Sequence, residues 1–216
     1  LPNYYGLSMK GYKEAHEHVS FNDKLRALNE KQTYAYLDQK DTRLFYKLYF
    51  SVLDYVNALE QIILNKKIDP NNYIEPDELV NLIEVFWKEK DRFIDGYVQK
   101  NPLNLTYRNL NIIKDFKYGM RKNFLLAVYE KNYTVLNDEG INYMVKGLNE
   151  NLDKFIPAEK TPMLIQTAIM PFNGMIIYDG FISTADMQLS PKLVSKAFED
   201  YSYGQKIYSL LPKNMN

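Results

Sequence analysis

Apolar residues recur at three- and four-residue steps from Asp41 onward: Leu44, Phe45, Leu48, Val52, Tyr55, Val56, Leu59, Ile62 and Ile63. That spacing puts them on one face of a helix predicted to run to about Leu64. "KKIDPNN" breaks it, because Pro70 cannot continue a helix. A second helix is predicted from Pro76, with Asp77 and Glu78 in its first turn, where carboxylates complement the macrodipole. Leu79, Leu82, Ile83, Phe86 and Trp87 form its apolar face, and the pattern resumes at Phe93, Ile94, Tyr97 and Val98 until Asn101 and Pro102 stop it. Thr106 is placed to cap a further helix with Leu110, Ile113, Phe116 and Met120 inward. Residues 1–20 read as a polar arm, and Asn22 and Asp23 as the cap of a short helix through Leu25 and Leu28.

After Arg121 the pattern changes to short apolar runs separated by turn residues. "FLLAVYE", "YTVL", "INYMVKGL" and "MLIQTAIM" read as strands, with "NENLDKFI" as a short helical link. In "MPFNGMIIYDGFI", residues 170–182, Asn173 and Gly174 stand between two apolar runs. Both central residues of a type I′ turn need positive φ, so this is a strong hairpin signal. Ser190 and Pro191 open a last helix carrying Leu193, Val194, Ala197, Phe198 and Tyr201. The predicted fold class is α+β: an N-terminal helical bundle over 1–120, then 121–216 as a small antiparallel β-sheet of about five strands with a C-terminal helix. The two parts are expected to pack as one unit.

Composition narrows the function classes. Lysine plus arginine and aspartate plus glutamate balance at 27 each, so no global field draws the chain to nucleic acid or an anionic surface. There is no cysteine, which excludes disulfides and thiolate-ligated zinc and favours a cytoplasmic setting. No apolar run approaches the roughly 20 residues that span a bilayer, and "LPNYYGLSMK" carries no signal-peptide pattern, so neither membrane association nor export is expected.

Few residues suggest chemistry. Asp179 interrupts an apolar strand on the same face as Met175, Ile177 and Phe181, with Tyr178 on the other. A desolvated carboxylate there would have a raised pKa, as a catalytic acid does. The simpler expectation is that Asp179 and Gly180 form a bulge or strand end, with the carboxylate accepting from backbone amides or a tyrosine hydroxyl. His16 and His18 are the only histidines, and neither ligand count nor geometry supports a metal there, so no metal and no cofactor is expected. Lys114, Lys117, Arg121 and Lys122 cluster between the two halves with aromatics interleaved. Such a cluster could line a nucleic-acid groove, but a helix C-terminus also attracts cations. Glu84 and Lys88 read as an exposed i, i+4 pair. Gly-x-Ser-x-Gly, GxGxxG and GxxxxGK[ST] are all absent.

Pro171, Phe172, Gly174, Ile176, Ile177, Tyr178, Asp179 and Gly180 spell PF-x-G-x-IIYDG. In this the chain resembles a group of uncharacterised bacterial proteins, mostly Gram-positive, that have a helical N-terminal part followed by this β-hairpin. Some relatives carry a cysteine-rich SEC-C zinc tail, absent from a chain without cysteine. The resemblance implies the fold outline and no activity. The functional expectation is a non-catalytic binding or protein-interaction module. Its partner would be another protein, met through Lys114, Lys117, Arg121, Lys122, Tyr178 and Asp179 at the junction of the halves. The alternatives are a carboxylate-dependent hydrolase or nuclease, and a nucleic-acid-binding protein.

Overall fold

A computed structural model describes residues 3–6, 35–184 and 189–212. Helix α1 (Gln39–Glu60) starts at Asp38, whose carboxylate accepts from the Asp41 amide at 2.8 Å. It buries Phe45, Leu48, Tyr49, Val52, Leu53 and Val56. The apolar period continues to Ile63, but the helix ends at Glu60. Gln61 turns left-handed (φ 51°), and the Asn57 side chain holds both the amide and the carbonyl of Ile63. Ile63 is therefore buried by a turn rather than by a helical face.

Helices α2 (Pro76–Lys88) and α3 (Lys90–Lys100) are separated by Glu89, which leaves helical conformation (φ −131°, ψ 32°). Helix α4 (Tyr107–Asp115) is capped by Thr106 and stops short of the Met120 that its pattern suggests. A single tight turn, Phe116–Tyr118, and an extended Gly119 deliver the chain into the sheet at Met120.

The sheet has seven strands among the described residues: β1 (Asn3–Gly6), β2 (Met120–Tyr129), β3 (Thr134–Asp138), β4 (Ile141–Lys146), β5 (Met163–Phe172), β6 (Met175–Thr184) and β7 (Gln205–Ile207). Strands β2 to β6 close on themselves. β2 pairs with β3 and β5, β3 with β4, β5 with β6, and β4 returns to β6 through the parallel pairs Val145↔Ile176 and Lys146↔Ile177. The sheet is thus mixed and closed into a small barrel, rather than the purely antiparallel sheet the turn signals suggested. Alternation places Phe124, Leu126, Leu136, Tyr143 and Val145 inside. Strand β2 serves both sides by changing partner along its length, with a register shift between Leu126 and Val128. Buried Leu148, Leu152 and Ile156 follow β4 in the connection to β5.

Two layers cover the barrel. Helix α5 (Pro191–Tyr203) lies over β2, β3 and β4 above Ala127, Val135 and Met144, anchored where Asn142 donates to the Asp200 and Tyr201 carbonyls. Helices α1 to α4 cover the other side. Phe45 stacks on Tyr49 at 5.4 Å and meets Phe172 of the hairpin edge-on at 5.7 Å, so helix and barrel share one core. The described helices pack on one another and share a single core with the barrel. Residues 3–6, expected within a polar arm, are a strand on the edge of β6. The short helix expected after Asn22 and Asp23 falls outside the described residues.

Candidate functional site

The hairpin turn forms as its residues require, with Asn173 at φ 47° and Gly174 at φ 78°. Further along β6, Thr167 pairs with Ile182 and Ile169 with Tyr178, so Asp179, Gly180 and Phe181 together oppose Ala168 alone. This is a β-bulge, and Gly180 takes φ 93°, where a side chain is strained. The bulge turns Asp179 into the helix–barrel interface, where it is fully buried. Its Oδ1 accepts from the Phe181 amide at 3.1 Å, and its Oδ2 from the Tyr49 hydroxyl at 3.3 Å.

Burial raises the Asp179 pKa from 3.8 to about 6, against the opposing pull of Arg121, the Phe181 and Ala168 amides and Tyr49. Burial opposes the charge on Arg121, but Asp179 and Glu84 outweigh it and hold the guanidinium ionised. Arg121 reaches this position from β2, opposite Ala168, and its Nε donates to Glu84 of α2 at 2.8 Å. The Arg121 side chain is only 6% exposed, whereas that of Glu84 is 48% exposed.

Beside Arg121 lies a cleft of about 390 Å³, lined by Glu84, Val85, Trp87 and Lys88 of α2, Arg121 of β2 and Gln166 of β5. Trp87 is seated against Gly119, where an added Cβ would come within 2.8 Å of its ring. The absent side chain at the helix-to-strand junction thus makes room for the indole. One donor at this junction, Arg121 Nη1, is buried with no hydrogen-bond partner, and the Trp87 indole N–H is buried against the Tyr49 hydroxyl. Buried donors are nearly always satisfied, so the unpaired Arg121 Nη1 beside the cleft is an uncommon feature.

The sequence cluster of cations disperses on folding. Lys117 pairs with Asp95 of α3 at 2.5 Å, Arg121 with Glu84, and Lys122 with Asp138 of β3. Lys114 sits over the ring of Tyr107, 5.8 Å from its centroid. Arg121 and Lys122 are neighbours in a strand and so point to opposite faces. Tyr178 is buried, and burial holds its phenol well above the usual range. Of the expected site residues, the structure brings Arg121 and Asp179 together, with Tyr178 buried close enough to feel the Asp179 charge, and leaves Lys114, Lys117 and Lys122 elsewhere. Glu84 answers Arg121 across the interface, a tertiary pairing where an exposed helical pair with Lys88 was expected.

Tyr49, Trp87 and Gln166 complete the arrangement and carry no mark of it in the sequence beyond Trp87 being the sole tryptophan. His16 and His18 lie outside the described residues. Among the described residues no group of three or more histidines and carboxylates is placed to hold a metal ion, and no helix is long and apolar enough to cross a membrane.

Counted from β2, the five barrel strands follow the order first, second, third, fifth, fourth and back to the first, with the third and fifth parallel. That is the connectivity of OB barrels, whose ligands commonly lie on the second and third strands. Here α5 occupies that face. No protein family, curated protein or solved structure matches the chain.

Proposed function

We propose that this protein is a non-catalytic binding module that recognises a protein partner through the cleft between α2 and the β2–β5 pair. The carrying observation is that the cleft brings a nearly buried guanidinium, its Nη1 left unpaired, together with the sole tryptophan. Arginine and tryptophan are also the residue types that dominate binding hot spots. A cysteine-free chain suits a cytoplasmic setting for such a module.

A carboxylate-dependent hydrolase would need an acid that touches its substrate. Asp179 is fully buried, does not line the cleft, and has an arginine and a tyrosine as side-chain partners. Those surroundings favour a structural role. Nucleic-acid binding gains no support from cations already held by Asp95, Glu84 and Asp138.

The test is a pull-down from a bacterial lysate with the wild-type chain and a Val85→Arg variant, which places a bulky charge in the cleft wall. One protein retained by the wild type and lost by the folded variant supports the reading. Equal recovery by both places recognition elsewhere and overturns it.

A further inference from the structure

The cleft wall formed by α2 offers a flat apolar surface, Trp87 with Val85, and a charged pair, Glu84 and Arg121, directly beside it. The pair is unequal. Arg121 is anchored: its side chain is 6% exposed and feels the charge of Asp179, itself fixed by Phe181 and Tyr49. Glu84 is half in solvent, on the exposed side of a helix, and Arg121 Nε is its hydrogen-bond partner. Asp179 favours the guanidinium charge together with Glu84, so displacing Glu84 leaves Arg121 with an acidic neighbour wherever Asp179 is ionised.

We infer that the cleft is a receptor for a free carboxylate carried on a flat apolar group, with Arg121 reading the carboxylate, Trp87 packing against the apolar group, and Glu84 standing in for the ligand's carboxylate until it is displaced. A guanidinium fork matches a carboxylate and is more readily desolvated than an ammonium, which suits a buried cation at the base of a cleft. Lys88 at the rim and the Gln166 amide on β5 add a second positive charge and a neutral polar contact. The volume of about 390 Å³ is at the small end of ligand sites, enough for one aromatic residue or a small aromatic acid and too little for a nucleotide cofactor with its phosphates. Two sources share this chemistry: the C-terminal residue of a polypeptide, a recurring recognition mode, and a free aromatic acid. The inference rests on the cleft proposed above as the recognition site, but not on the partner being a protein.

Trp87 is the only tryptophan, so its intrinsic fluorescence reports occupancy of the cleft without a label. The probes are phenylacetate, a pentapeptide ending in phenylalanine with a free carboxylate, and the amidated form of each. Saturable fluorescence change is expected for at least one free acid, with its amide at least about tenfold weaker, the loss of one charge-assisted contact. Glu84→Gln should bind that acid several-fold more tightly because it competes less for Arg121, and Arg121→Gln should lose about tenfold or more.

Because Arg121→Gln removes a buried ion-pair partner and can destabilise the fold, Val85→Phe serves as the second variant. It fills the cleft, leaves every charge in place, and should abolish the response while circular dichroism stays unchanged. Binding of an acid and its amide with equal affinity, weaker binding by Glu84→Gln, or no response to either acid overturns the carboxylate inference. An equal response to free and amidated peptide would do so while leaving the protein-binding reading intact. A response confined to phenylacetate would support the carboxylate inference and overturn the protein partner.

Discussion

The Tyr49 hydroxyl donates to the Asp179 carboxylate at 3.3 Å, which ties the middle of the longest described helix to the bulge of β6. Both residues are fully buried, and the charge of Arg121 favours the ionised carboxylate. The helical layer and the barrel therefore meet at a charged centre as well as through aromatic packing.

Asp179→Leu removes the anion and leaves the Tyr49 hydroxyl, the Phe181 amide and the Arg121 guanidinium facing an apolar side chain. Leaving a buried donor unpaired costs about 1–3 kcal/mol, while Arg121 keeps its ion pair with Glu84. Urea unfolding of the variant should show a loss of that size. A loss below about 1 kcal/mol would mean that the network contributes little to the fold.

The same carboxylate makes stability depend on pH in a direction opposite to that of ordinary salt-bridged acids. Asp179 binds its proton more tightly in the folded chain, up to about 6 from an ordinary 3.8, because burial outweighs its donors. Its contribution favours folding below pH ~4 and is lost as the pH rises through about 6, amounting to roughly 3 kcal/mol. Asn cannot ionise, so the stability of Asp179→Asn relative to wild type should rise by roughly 2–3 kcal/mol between pH 4 and 7. Unfolding curves for both proteins at several pH values test this, and a constant difference would show that Asp179 does not titrate in that range.

Gly180 sits at φ 93° within the bulge. Alanine there meets the penalty of positive-φ backbone, about 1–2 kcal/mol. Thermal unfolding of Gly180→Ala should register it. A neutral result would mean that the bulge relaxes into a conformation open to any residue.

Phe45 touches Tyr46 and Tyr49 on its own helix, Phe116 in the turn before β2 and Phe172 in the hairpin. Phe45→Ala empties the point where helices and barrel meet and should cost about 3–5 kcal/mol. Chemical denaturation followed by both far- and near-ultraviolet circular dichroism should show one shared transition at lower denaturant. Two separated transitions would mean that the layers fold independently.

Single-stranded RNA or duplex DNA should bind weakly at physiological salt, because Lys117, Arg121 and Lys122 are each matched by a carboxylate. Fluorescence anisotropy with labelled oligonucleotides across a salt series measures it. Tight binding that falls steeply with salt would contradict the expectation.

Periodicity revealed the elements far better than their ends. The apolar face of α1, the Asn173–Gly174 turn, the Ser190–Pro191 start of α5 and the change of pattern near residue 120 are all legible, because each depends on local spacing or on a residue with a special backbone preference. The early end of α1 was not, since the Asn57 side chain that captures Ile63 is a polar residue inside an apolar pattern. Barrel closure was hidden as well. Nothing in "INYMVKGL" marks Val145 and Lys146 for a parallel partner some thirty residues away. At the site, Asp179 and Gly180 could be read as a bulge from their types alone, whereas the meeting of Glu84, Trp87 and Arg121 depends on which helix lies over which strand.

The pairing of β1 with β6 also sets a timetable for assembly. Gly6 aligns with Phe181 and Asn3 with Thr184, so the earliest of the described strands binds one made some 175 residues later. At ribosomal speeds of about 5–20 residues per second, residues 3–6 wait on the order of ten seconds or more before their template exists. Every other strand pair in the barrel joins segments much closer together in the chain. Contacts of such long range form late, so the barrel has to complete β6 before β1 is laid on its edge. Until then Phe181–Thr184 is paired with β5 alone and lacks the partner that β1 supplies, an open edge of the kind that strand exchange exploits.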